Sequence, residues 1–181
     1  MTRIAVADAR ARLEEAGVFD RLVAFDPRWI GSIPLDVHHP GADADICCTA
    51  PDLPRFRATL DQAFGHRDGY RSKLNTHAGE ASVIAYFDLG GLPVEIYGRE
   101  RPVECHEGYV HWLAADRLLR LAEERLREDV RAAKGAGRKT EPAFAHCLKL
   151  GGDPFAEMLK LASPPDAALR AMIRRAGYAL A

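Results

Sequence analysis

The run Asp43-Ala44-Asp45-Ile46-Cys47-Cys48 constrains the fold more than any other stretch of the chain. In an extended strand, alternation puts Asp43, Asp45 and Cys47 on one face and Ala44, Ile46 and Cys48 on the other. The far end of such a strand is apolar enough to be core, while its start holds two carboxylates side by side at the surface. Like charges this close repel unless a cation sits between them, and hard carboxylate oxygens suit Mg²⁺ or Mn²⁺. The pair therefore reads either as a metal site at the open start of such a strand or as a solvated acidic turn.

The flanking sequence supplies the rest of a sheet. Ile4 to Gly17 reads as a helix stopped by its glycine, followed by a short helical piece over Val18 to Ala24 that Asp26-Pro27 ends. Arg28-Trp29-Ile30 reads as a strand entering Gly31-Ser32. Ile33 to Val37, with Pro34 and β-branched residues, reads as extended, and His38-His39-Pro40-Gly41 as a loop. With a strand over Ala44 to Thr49, this part forms a hairpin-like arrangement. Asp52 caps a helix to about Phe64, whose Leu53, Phe56, Leu60 and Phe64 recur at helical spacing. Strands follow over Tyr70 to Leu74 and Ala81 to Phe87, joined through His77-Ala78-Gly79. Gly90-Gly91 then turns the chain into a strand over Leu92 to Tyr97. There Val94 and Ile96 face one way and Pro93, Glu95 and Tyr97 the other, which makes Glu95 a third carboxylate on the less apolar side of a strand.

From Glu107 the pattern is helical. Trp112, Leu119, Ala122, Leu126 and Val130 trace one stripe through a single segment ending near Gly135. Thr140 caps a helix entered through Glu141-Pro142 and closed by Gly151-Gly152, Asp153-Pro154 starts another, and Ser163-Pro164-Pro165-Asp166 caps the last. The fold class is α+β: residues 1–103 form a mixed sheet with flanking helices, and residues 104–181 form a helical region packed on it.

Bulk charge narrows the partners. Twenty-five basic and 26 acidic residues leave a formal net charge of −1, so bulk attraction to nucleic acid or an anionic membrane is not expected. No apolar run approaches the ~20 residues of a membrane span, and the charged first residues do not form a signal-peptide core. Cys47, Cys48, Cys105 and Cys147 make no disulfide ladder, which fits a reducing cytoplasm. Cys105, His106, His111, His146 and Cys147 lack the usual zinc-ligand spacing.

A glycine followed by a small hydroxyl residue allows close approach of a phosphate, to which the backbone amide and Ser32 can donate. Paired carboxylates would hold a metal against the same phosphates, a division of labour that nucleotidyl transfer requires. Gly31-Ser32 followed by Asp43-x-Asp45, with Asp43 eleven positions after Ser32, resembles the signature of the nucleotidyltransferase superfamily. That resemblance implies a polymerase-beta-like nucleotidyltransferase fold, with Glu95 in LPVEIYG as the third carboxylate. Across most of the chain, GSIPLDV, ADADICC, LPVEIYG, GYVHW, DRLL, KTEPAFAHCL and GGDPF are similar to an uncharacterised bacterial family, known only as a domain of unknown function with that fold. Two departures stand out. Asp36 occupies the place of a second glycine, and Pro34 and Val37 oppose the usual helix after the serine.

The resemblance implies a Mg²⁺- or Mn²⁺-dependent enzyme that moves a nucleoside monophosphate from a nucleoside triphosphate to an acceptor. Asp43, Asp45 and Glu95 are its metal-binding and catalytic residues, and Gly31, Ser32, Arg117 and Lys139 its nucleotide contacts. Arg117 reads equally as a helix-packing residue in a salt bridge, and Lys139 as part of a helix start. The altered loop supports an alternative, a catalytically inactive binding or interaction domain, including a toxin–antitoxin component. His38 and His39, beside the acidic pair, read as exposed loop residues or as ligands for metal-dependent hydrolysis.

Overall fold

A computed structural model describes residues 2–77 and 79–181. The elements are α1 (Val6–Glu15), α2 (Val18–Arg21), β1 (Arg28–Ile30), β2 (Ala44–Thr49), α3 (Leu53–Phe64), β3 (Arg71–His77), β4 (Glu80–Asp88), β5 (Pro93–Arg99), α4 (Glu107–Leu121), α5 (Glu124–Gly135), α6 (Thr140–Cys147), α7 (Pro154–Lys160) and α8 (Asp166–Ala176). The chain divides into two compact units, Met1–Ile33 with Pro40–Tyr109 and Pro34–His39 with Val110–Ala181.

In the first unit five strands form one sheet in the order β1-β2-β5-β4-β3. β2 and β5 run parallel, and every other neighbouring pair is antiparallel. The expected α+β fold with a mixed sheet is thus present. β1 and β2 pair as the hairpin-like reading requires, with Ile30 opposite Asp45. One face of the sheet is core: Ala44, Ile46, Cys48, Val94, Ile96, Val83, Ala85 and Phe87 are all buried there, with residues of α1 and α3 in the same cluster. α3 starts as its sequence dictates, Asp52 Oδ1 accepting from Arg55 N at 2.9 Å, with Pro54 in the first turn where no donor is lost. Its Phe64 stacks on Phe87 at 4.9 Å between centroids, and its Phe56 meets Phe25 edge-on at 4.8 Å. Phe56 also crosses Gly98 so closely that a Cβ there would lie 2.3 Å from its ring.

The second unit has its own core, in which Leu118, Leu126, Val130, Phe144, Met158, Leu169 and Ile173 are fully buried. Leu35 and Val37 belong to it, so the segment expected to run extended beside the sheet is instead a helical-unit residue set. Over Ser32 to Asp36 it forms consecutive turns rather than a strand, with Asp36 left-handed at φ 56°. Arg131 Nη2 holds that turn, donating to Asp36 O at 2.8 Å and to Asp36 Oδ2 at 3.0 Å.

Other boundaries differ for local reasons. The single helix expected to end near Gly135 is two, broken at Ala122, where the backbone bridges Leu180 and Glu123 N donates to Ala179 O. Backbone pairing there replaces the helical bonds that the apolar stripe alone would extend. Thr140 is the first helical residue of α6 rather than its cap, its hydroxyl accepting from Lys134 Nζ at 2.7 Å. α6 stops at Cys147, before the Gly151-Gly152 pair, because Lys149 turns left-handed at φ 55°. The β3–β4 turn through His77-Ala78-Gly79 includes Ala78, which lies outside the described residues. No helix among the described residues is long and apolar enough to cross a membrane.

Candidate active site

The open face of the sheet brings the three carboxylates together from two distant parts of the chain. Parallel pairing sets Asp45 directly opposite Glu95, and Asp43 lies two residues before Asp45 on the same face. Glu95 pairs across to Tyr86, and Tyr86 to Arg71. One cross-strand row therefore reads Ile30, Asp45, Glu95, Tyr86, Arg71, one residue from each strand in sheet order. Asp43 is exposed, whereas Asp45 and Glu95 are half-buried.

Electrostatics along the row is graded from acid to base. Burial raises the Glu95 carboxyl above its ordinary value, and the neighbouring charge of Asp43 raises it further. The Tyr86 hydroxyl donates to Glu95 and, with the charge of Lys73, works the other way. Tyr86 is itself raised, by burial first and then by the charge of Glu95. Its ring is covered by Arg71 at 4.3 Å and by Lys73 at 5.6 Å. Tyr86, Arg71 and Lys73 carry no motif, and only the strand register reveals them.

Gly31 ends β1 against this cluster. Its φ of 83° is left-handed, and a Cβ at this position would lie 2.0 Å from Asp45 Oδ2. The glycine thus lets loop backbone and carboxylate share one space, with half-buried Ser32 next in sequence. The donor set suits a hard divalent cation in chemistry and in placement on the sheet. The side chains do not form a ready-made cage: among the described residues no three His, Cys, Asp or Glu groups stand where they could hold a metal.

Cys47 continues the acidic face inward and meets His106, its Sγ 2.7 Å from Nδ1, while His106 Nε2 donates to Arg101 O at 2.8 Å. That second bond makes Nδ1 the acceptor, so the Cys47 thiol donates. Burial pushes the thiol up to about 12 and the imidazole down, and the pair is neutral. It closes the inner end of the acidic face as an uncharged wall.

In the helical unit Arg117 Nη1 donates to Ala162 O at 2.5 Å, and Nη2 to Pro164 O and Asp166 Oδ1, both at 2.7 Å. These contacts are those of the helix-packing reading. Lys139 is exposed at the N-cap of α6. His39 is exposed as expected, but His38 is 1% exposed, a buried residue and not a loop-surface one. His111 Nε2 donates to Phe155 O at 3.0 Å, with Nδ1 3.5 Å from Glu141.

The fold is shared with solved enzymes of low sequence identity. A cytoplasmic RNA terminal U-transferase is 13% identical with a TM-score of 0.52, over 84% of this chain and 45% of that one. The Cid1 poly(U) polymerase, solved with Mg 3′-dATP, is 15% identical with a TM-score of 0.54, over 84% and 47%. GLD-2, in a structure of the GLD-2/RNP-8 complex, is 11% identical with a TM-score of 0.57, over 94% and 76%. The chain thus spans about half the length of the first two. These likenesses establish a nucleotidyltransferase-like fold. No curated protein matches the sequence. Residues 11–161 match the family described as Domain of unknown function (DUF4269), and with most of its length inside that match the chain belongs to this family.

Proposed function

We propose that the protein is a metal-dependent nucleotidyltransferase that moves a nucleoside monophosphate from a nucleoside triphosphate to an acceptor hydroxyl. The observation that carries this reading is the register of β2 on β5, which seats Asp45 against Glu95 with Asp43 on the same face. Asp43 and Asp45, with Glu95, would hold Mg²⁺, which supplies charge neutralisation at the phosphates when bound. Gly31 leaves room for a phosphate to approach the backbone, and Ser32 donates to its oxygens. The acceptor oxygen attacks the α-phosphorus, pyrophosphate leaves, and the acceptor proton passes to Glu95. The Tyr86 hydroxyl donates to Glu95.

The test is calorimetry of a non-hydrolysable triphosphate with Mg²⁺, against the Asp43→Ala/Asp45→Ala double variant. Metal-dependent binding is expected in the parent and lost in the variant, and equal binding in both removes the proposal. A second reading, a binding domain without chemistry, is favoured by the Ser32–Asp36 turns and by Asp36 standing under Arg131 where the superfamily pattern has glycine. It predicts no pyrophosphate release from any of the common triphosphates with metal present. Release above a metal-free control rejects it.

A further inference from the structure

The helical unit carries a wide-mouthed cavity of about 910 Å³, open to solvent along most of its rim. Its walls come from α5, α6, the turn after α6, the start of α7 and Tyr178. Ala133 and Ala145, both nearly buried, give it an apolar floor together with Leu150. Arg138, His146 and Lys149 stand along its rim and are exposed. Among the described residues, none of the three is ion-paired with an acidic side chain. The acid of the cavity, Asp129, is already engaged, accepting from the Tyr178 hydroxyl at 2.9 Å with Arg125 at 3.8 Å.

The end of α6 favours basic side chains through its dipole, but no carbonyl there needs one as a donor. Its last carbonyls are closed by backbone donors: Leu148 N to Phe144 O at 2.8 Å, Lys149 N to His146 O at 3.2 Å and Leu150 N to Ala145 O at 2.9 Å. Lys149 moreover sits in the left-handed position that follows a helix, where glycine is the less strained choice. The chain keeps a cation there against its backbone preference.

We infer that this cavity binds a small phosphomonoester with an apolar body, the phosphate held by Arg138 and Lys149 and the body laid over Ala133, Ala145 and Leu150. Two permanent cations match the charge of a phosphomonoester, about −2 at neutral pH, better than that of a carboxylate. Arginine presents a planar fork to phosphate oxygens, and lysine adds a point charge. Asp43, Asp45 and Glu95 are not among the residues that line the cavity, and its ligand makes no use of them.

The probe is phenyl phosphate, titrated calorimetrically into the full chain at low salt with EDTA present. Saturable binding of one molecule per chain is expected, weakened roughly tenfold or more by Lys149→Gly and by Arg138→Gln. Lys149→Gly removes the charge while suiting the backbone, so loss of binding is not loss of fold. Benzoate should bind more weakly, because it carries half the charge, and inorganic phosphate more weakly, because it has no apolar body. Binding should persist in Asp43→Ala/Asp45→Ala, which separates this site from the proposed transferase centre. Absence of saturation up to about 10 mM, affinity equal to the parent's in either rim variant, equal affinity for benzoate, or loss in the aspartate double variant each overturns the inference.

Discussion

Replacing Gly31 by alanine tests the geometry of the acidic face most directly. Two costs add. Holding alanine at φ 83° costs roughly 1–2 kcal/mol of backbone strain. The new Cβ would also lie 2.0 Å from Asp45 Oδ2 and 3.0 Å from its Cγ, far inside contact distance, so the carboxylate has to leave. Forcing a half-buried side chain off its rotamer costs about another 0.5–1.5 kcal/mol. The sum, about 1.5–3.5 kcal/mol, lowers Tm by roughly 3–14 °C for a chain of this size. Gly91 provides the control, since its φ is 90° but nothing lies within 4 Å of its missing Cβ. Gly91→Ala should pay the strain alone. In urea titrations Gly31→Ala should therefore be the more costly of the two, and the excess should disappear in an Asp45→Ala background, where the clashing oxygens are gone. Metal-dependent triphosphate binding should fall with Gly31→Ala and not with Gly91→Ala. Equal destabilisation by the two glycine variants, or a Gly31→Ala penalty that Asp45→Ala leaves unchanged, would refute the reasoning.

Two further predictions concern the same unit. Gly98→Ala sets a Cβ 2.3 Å from the Phe56 ring in a filled core, so a loss of about 2–3 kcal/mol is expected, and Phe56→Leu should recover part of it in a double-mutant cycle; strict additivity in that cycle would contradict the contact. Glu95 binds its proton more tightly folded than unfolded, so its contribution to stability is fully present below the unfolded value near 4.5 and is lost as pH rises through the raised folded value. Relative to Glu95→Gln in EDTA, the parent should accordingly gain stability as pH falls through that window; a gain on raising the pH would show that the carboxylate is stabilised rather than strained where it sits.

Alternation and capping made the sheet's parts legible. Asp43, Asp45 and Glu95 could be assigned to the polar side of their strands because Ile46, Cys48, Val94 and Ile96 claim the other, and the structure buries those four. Asp52 and Asp153 cap the helices they precede because an acceptor three residues before a free N–H is a local matter. What could not be read was non-local. Tyr86, Arg71 and Lys73 join the site through strand register, which no single strand encodes. Leu35 and Val37 looked like strand residues because alternate burial is the same pattern whether the covering layer is a sheet or a helical core. The break at Ala122 depends on a backbone bridge to Leu180, nearly sixty residues away, whereas the stripe through it is sound helix sequence. The Cys47–His106 pair was invisible for the same reason, its members being 59 positions apart.

The row from Ile30 to Arg71 has a kinetic corollary. Its members must find one another across intervals of many residues, and the single parallel pairing closes last in entropic terms, since the strands it joins enclose α3, β3 and β4. No single hairpin of this chain can hold the whole acidic cluster, since β1–β2 carries Asp45 and β4–β5 carries Glu95. Competence at the face should emerge in one slow step together with the complete sheet, and a nascent or proteolytically nicked chain should carry none of it.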